Sequence, residues 1–244
     1  SNDMSQVKRG CMGLIIDRQL LTVCGCRSYV RMSGRYEWLT ISVDGTLTEK
    51  QLMRYMKQYH LNRVLVHQSV EYQCAEQPIR PVEPGSILLL NQHISPERTD
   101  QRHLTLDYEN AVRLALEHMI RCGHTNITIL GGNLNHCCYE QILRALEWCS
   151  IHYSVRLNQD NVVWFNGDQY TETLEPGSIG TAVLSVGAPG IMAVTNYCFA
   201  SGSRIPEDFS WVAIDDDDFI QGYNPTVTYV RLDPEAFRSV LEHG

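Results

Sequence analysis

The chain has 244 residues, 43% of them hydrophobic and 20% charged, and a formal net charge of −8. That length and composition describe a globular protein able to bury a core without disulfide or metal staples, as one large domain or two intimate halves. The acidic balance excludes most of this surface as a phosphate-binding face and leaves a separate nucleic-acid-binding domain open. Nine scattered cysteines, with no CxxC pair, read as reduced thiols filling core space in a cytoplasmic chain rather than a zinc ribbon or disulfide frame. No apolar run reaches the ~18 residues of a membrane span, and a periplasmic chain whose leader was removed stays open. Ser1-Asn2 reads as a tag remnant and is set aside.

In chain order, short aliphatic runs alternate with helical patterns, the signature of parallel β-α-β construction. Cys11–Asp17 is a near-continuous apolar run ending in a carboxylate, as buried parallel strands read. A weakly patterned helix is predicted over 20–33 and a strand over 36–43. Thr48 caps a helix with Leu52, Tyr55, Met56 and Tyr59 at i, i+3, i+4 and i+7. Arg63–His67 is a third strand. The stretch 71–85, with Pro78, Pro81 and Pro84, is a loop or broken helix, and Ile87–Leu90 is a fourth strand.

The second half repeats the scheme. A short strand over Leu104–Leu106 precedes Asp107, which caps a helix to Cys122 with Val112, Leu116, Met119 and Ile120 inward and Gly123 at the C′ position. Asn126–Leu130 is a strand. Tyr139–Ser150 is a helix with Ile142, Ala145, Leu146 and Cys149 on one face, and Val162–Phe165 is a strand. The spacing of Ile179, Ala182, Val183 and Val186 predicts a short helix over 178–186, and Ile191–Thr195 reads as a strand. Strands over 211–214 and 226–230 follow, and Asp233-Pro234 opens a final helix. The expected fold is α/β: two doubly wound parallel-sheet subdomains.

Ligands of open parallel sheets bind beyond the carboxyl ends of the strands. The residues there are Asp17, His67, Gln68, Asn91, Asn166, Asp168, Asn196 and Asp215, all hydrogen-bonding groups suited to a polyhydroxylated ligand; Tyr197 or Trp164 would supply an aromatic face. Wet strand ends also carry polar residues for no functional reason, so each position alone is ambiguous. Asp215–Asp218 is a solvated turn before it is a metal site, and the adjacent His136-Cys137-Cys138 side chains do not converge on one ion. Gly131-Gly132 lacks the third glycine of a dinucleotide fingerprint, and no phosphate loop, nucleophile elbow or nucleophile–base pair is present. These patterns point to no catalytic residue, no metal and no cofactor.

Asp107–Gly132 (DYENAVRLALEHMIRCGHTNITILGG) resembles the lactose/galactose repressor (LacI/GalR) family pattern of Asp, Ala-rich helix, Gly-His, Ile and Gly-Gly. Arg63–His67 with Ile87–Gln92 looks like that family's third and fourth strands. Ile191–Asn196 (IMAVTN) resembles its fifth, and Ile205–Asp216 (IPEDFSWVAIDD) and Pro225–Val230 its closing stretches. The resemblance implies a type I periplasmic-binding-protein-like fold with three crossovers, near Thr105–Asp107, Asp215–Ile220 and Tyr229–Asp233. It divides the chain into 7–105 plus 219–230 and 106–218 plus 231–244. It implies the effector-sensing part of a repressor, not an enzyme, with a small sugar-like ligand in the cleft contacted by Asp17, His67, Asn91, Asn196 and Asp215. It further implies a homodimer that reaches operator DNA through a helix-turn-helix domain on either side of this sequence, in the cytoplasm and without a membrane. The alternative is a solute-binding receptor of a sugar transport system. The pattern also departs from the family. The effector-gripping arginine aligns with Cys138 and the Asp of an Asn-Asp pair with Tyr197. The helix that follows shrinks to Ala200–Arg204.

Overall fold

The computed structural model describes residues 11–24, 37–93, 98–215 and 228–231, and divides the chain into two compact units. The first runs to Leu106 and takes in Leu134–Cys137; the second holds Asp107–Asn133 and the described residues from Cys138 onward.

In the first unit, β1 (Cys11–Asp17), β2 (Glu37–Val43), β4 (Arg63–Val66), β6 (Ile87–Leu90) and β7 (Gln101–Leu104) form a parallel sheet in the order β2-β1-β4-β6-β7. Every residue of β6, and all of β1 but Cys11, is buried, which is why these strands read as unbroken apolar runs. Helix α1 is Arg18–Cys24, and the rest of the 20–33 prediction falls in 25–36, which lies outside the described residues. Helix α2 (Glu49–Gln58) starts in a reciprocal cap. The Thr48 hydroxyl accepts the Gln51 N–H, and Gln51 Oε1 accepts the Thr48 N–H. Its inner face sets Leu52, Met53 and Met56 against Ile15, Val64, Val66, Ile87 and Leu89. The stretch 71–85 is not wholly loop. β5 (Glu71–Gln73) pairs in parallel with β3 (Thr46–Thr48), a pairing of two three-residue strands that no local pattern announces. The edge strand lies at Gln101–Leu104 rather than Leu104–Leu106, fixed by its register with β6.

The second unit has the sheet order β12-β11-β10-β8-β9: β8 Ile127–Gly132, β9 Val162–Phe165, β10 Ala182–Val186, β11 Ser210–Asp215 and β12 Thr228–Arg231. Helix α3 (Tyr108–Arg121) is capped by Asp107, whose carboxylate accepts the Asn110 N–H, and Gly123 follows it at φ +93°. Helix α4 (His136–Tyr153) buries Ile142, Ala145, Leu146 and Cys149, the four residues spaced for its inner face. Two predictions fail together. Residues 182–186 are the central strand, buried along its whole length, and Ile191–Thr195 lies inside helix α5 (Gly187–Ser201). Helix α5 buries Gly187 through Ile191, then Ala193, Val194 and Tyr197. Strand β12 extends this second sheet by pairing with β11, although the sequence reading gives 219–230 to the first subdomain. The final helix at Asp233-Pro234 and the segment 216–227 lie outside the described residues.

Candidate functional site

At the carboxyl end of the first sheet, β1, β4 and β6 are neighbours and bring Asp17, His67 and Asn91 together. Ser69 links the first two. The Asp17 N–H donates to Ser69 Oγ at 3.0 Å, and that hydroxyl lies 2.8 Å from His67 Nδ1. The Ser69 N–H also donates to His67 Nδ1 at 3.0 Å, so Nδ1 is an acceptor and the ring carries its proton on Nε2. Burial of the imidazole pulls its pKa down to about 3, so His67 is neutral near pH 7. The Asp17 carboxylate caps α1 by accepting the Leu20 N–H at 3.2 Å, and burial raises its pKa.

Asn91 sits at φ +50°, a conformation asparagine tolerates better than other non-glycine residues. Its Nδ2 donates to Gln68 Oε1 at 2.8 Å, and its Oδ1 accepts the Leu106 N–H at 3.0 Å. The sequence reading missed Ser69, Gln92 and Asn135. Gln92 Nε2 donates to the Val70 carbonyl at 2.7 Å. The Asn135 N–H donates to the Gln68 carbonyl at 2.8 Å and its Nδ2 to the Asn91 carbonyl, also at 2.8 Å. The signal for the first two was an amide or hydroxyl within two residues of a predicted strand end. Nothing local marks Asn135, which is distant in sequence. The result is a rim of buried amides that hold one another in place.

In the second unit, Asp215 ends β11 and is only 2% exposed, in register with Arg231 of β12. Asn196 is not at a strand end. It lies well inside α5, where its Nδ2 donates to the Tyr170 carbonyl at 3.4 Å. The residues that follow the strand in this place are Gly187 and Ala188, so the strand-end position expected of Asn196 and Tyr197 is corrected to that pair. The helix that looked reduced to Ala200–Arg204 is present in full as α5. Tyr197, expected to offer an aromatic face, is 6% exposed, packs edge-on against Phe209 and accepts the Gly177 N–H.

Cys138 is fully buried in the first turn of α4, after the Gly131-Gly132 strand end. Trp164 is half-buried, lies over Gly131 and meets Tyr139 edge-on at 5.0 Å. Asn166 and Asp168 stand exposed after β9. Asp216–Asp218 lie outside the described residues, and among the described residues no three His, Cys, Asp or Glu side chains gather as a metal site. A cavity of about 390 Å³ in this unit lies at the opposite, amino-terminal end of β11 and β12, lined by His118, His124, Ser210, Trp211 and Thr228 among others.

The family described as "periplasmic binding protein-like domain" matches residues 116–238, just over half of the 244 residues. The chain belongs to the periplasmic-binding-protein-like domain family. It is 27% identical over 146 residues to the lactose operon repressor of Escherichia coli (strain K12), covering 56% of this chain and 39% of that protein. The chain thus spans about two-fifths of the length of that relative. Two of the solved structures that share the fold show it. The E. coli transcriptional repressor ascG superposes with a TM-score of 0.68 at 15% identity, over 96% of this chain and 89% of that one. A periplasmic binding protein/LacI transcriptional regulator from Alkaliphilus metalliredigens, complexed with D-xylulofuranose, gives 0.69 at 14% identity over 95% and 88%. The periplasmic-binding-protein-like chain therefore has the expected α/β fold built on parallel sheets, and the names of these relatives are those of repressors and regulators.

Proposed function

We propose that this periplasmic-binding-protein-like chain is the effector-sensing module of a transcriptional regulator. It binds a small, neutral, sugar-like ligand through polar groups at the carboxyl ends of its sheets. The observation that carries the reading is the family match in the second half of a chain whose first sheet ends in Asp17, His67 and Asn91 together. Asp215 is the proposed contact on the second sheet. Asn196 gives way to Gly187 and Ala188, which offer backbone groups and no charge. With Cys138 in the place of the family's arginine, nothing at these positions selects an anionic ligand. On this reading the protein acts in the cytoplasm as a homodimer and reaches operator DNA through a helix-turn-helix domain outside this sequence. A ligand shifts such a switch only by the difference in its affinity for the two states.

A thermal-shift screen of the purified chain against neutral pentoses, hexoses, disaccharides and sugar phosphates tests the proposal. A ligand at 100 times its Kd adds about 2.7 kcal/mol of stability, a rise of several degrees for a chain of this size. A hit among neutral sugars supports the reading, and a flat panel removes it. The family's own description favours one alternative, a solute-binding receptor for transport. A sedimenting dimer speaks for the regulator and a monomer for the receptor.

A further inference from the structure

In the first unit, away from the sheet ends described above, a buried polar cluster surrounds a half-buried thiol. Arg98, with its side chain 5% exposed, is bidentate to Asp100 at 3.0 and 2.8 Å and pairs with Glu49 at 2.7 Å. The same guanidinium donates through Nη1 to Cys74 Sγ at 3.2 Å and to the Ala75 carbonyl at 2.9 Å. Gln101 Nε2 donates to Cys74 Sγ at 3.0 Å. The thiol in turn faces Glu49 Oε1 at 3.6 Å and the Ala75 carbonyl at 3.3 Å. Glu49 is further held by the Tyr72 hydroxyl at 3.4 Å and the Ile79 N–H at 3.1 Å. A neutral thiol is a weak acceptor, so two N–H donors aimed at one sulfur suit a sulfur that carries an oxygen.

A second observation points the same way. Gln101 is 8% exposed, its amide is aimed at the sulfur, and its Oε1 has no partner among the described residues. A buried acceptor with no donor is unfavourable. A hydroxyl carried by the sulfur places a donor beside that oxygen.

We propose that Cys74 is a peroxide-reactive thiol, oxidised by hydrogen peroxide to a sulfenic acid that Arg98 and Gln101 hold. Glu49 takes the thiol proton and the sulfur electron pair attacks one peroxide oxygen. The O–O bond breaks, and the departing hydroxide takes the proton from Glu49 and leaves as water. Sulfur is oxidised by two electrons, the peroxide is reduced, and Cys74 becomes S–OH. Arg98 offsets one of the two carboxylate charges beside the sulfur, and the sulfenic hydroxyl donates to Gln101 Oε1. This inference does not depend on the proposed ligand.

The test treats the native chain with a hydrogen peroxide series, traps sulfenic acid with dimedone and reads each cysteine by peptide mass spectrometry. Cys122 is the internal reference, because it is exposed and, among the described residues, its sulfur has only His118, at 3.9 Å. Cys74 is expected to reach half-labelling at about a tenfold lower peroxide dose than Cys122. Gln101→Leu and Arg98→Lys are each expected to raise the Cys74 dose toward that of Cys122. Labelling of Cys122 at the same or a lower dose than Cys74 overturns the proposal. So does a folded Gln101→Leu variant that labels like the wild type. If either variant fails to fold, the wild-type ratio of the two doses decides.

Discussion

Replacing Asn91 tests whether the amide rim at the end of the first sheet holds that unit together. Asn91 is 3% exposed, and its carboxamide both donates to Gln68 and accepts the Leu106 N–H. Leu106 is itself buried, so Asn91→Ala strands a backbone donor, at about 1–3 kcal/mol. Losing the bond to Gln68 adds about 1 kcal/mol. Alanine at φ +50° adds about 1 kcal/mol more. The expected total is about 3–5 kcal/mol, a fall in Tm on the order of 10 °C for a chain of this size. Asn91→Gly removes the same hydrogen bonds but accepts the backbone, so it should cost about 1 kcal/mol less than alanine. Urea unfolding followed by tryptophan fluorescence measures both. An alanine variant within about 0.5 kcal/mol of wild type refutes the reasoning, because the rim would then be a wet surface rather than a buried cross-link.

Other substitutions reach different parts of the chain. His67 holds its ordinary pKa of 6.5 in the unfolded state and about 3 when folded, so in that window the unfolded chain carries the extra proton. Its contribution is complete above that unfolded value and is lost at about 1.4 kcal/mol per pH unit as the pH falls toward the folded one. Urea midpoints measured from neutral to acid pH should show a shallower decline in His67→Asn than in wild type, and equal slopes remove His67 as the source. Gly190→Ala sets a Cβ against the Leu130 carbonyl, where α5 crosses β8, and should cost about 1–3 kcal/mol, read as a lower unfolding midpoint. Trp211→Phe leaves the buried Ser185 hydroxyl without its 2.9 Å indole donor and should cost about 1–2 kcal/mol in the same assay. Asp215→Ala should abolish the sugar-induced thermal shift; a retained shift removes Asp215 from the site.

Much of the fold was legible because local signals agreed with the tertiary structure. The Asp107 cap, the inner-face spacing and Gly123 fixed α3 with its ends. Four apolar residues at helical spacing marked α4, and the polar residues after β1, β4 and β6 marked one end of one sheet. The site was legible only as strand ends. Which amides close on which carbonyls depends on sheet order, so Asn135, which bonds 44 residues away to Asn91, left no trace in the local pattern.

The sequence by itself determined the fold class, the strands with long aliphatic runs, the capped helices and the family likeness. Each is set by local chemistry: periodicity, capping oxygens, and glycine at positive φ. Only the tertiary structure decided the stretch 178–201. Ala182–Val186 is buried on both faces of a central strand, and α5 is buried without a break from Gly187 to Ile191 and apolar on most of its faces, so neither segment shows the periodicity of its own kind. Pro189 near the helix start and Gly202 at φ +71° after its end were the remaining local clues, and they agree with α5. That one exchange of strand for helix took Asn196 away from a strand end and left Gly187 and Ala188 there. Burial on all sides erases the pattern that the sequence would otherwise display.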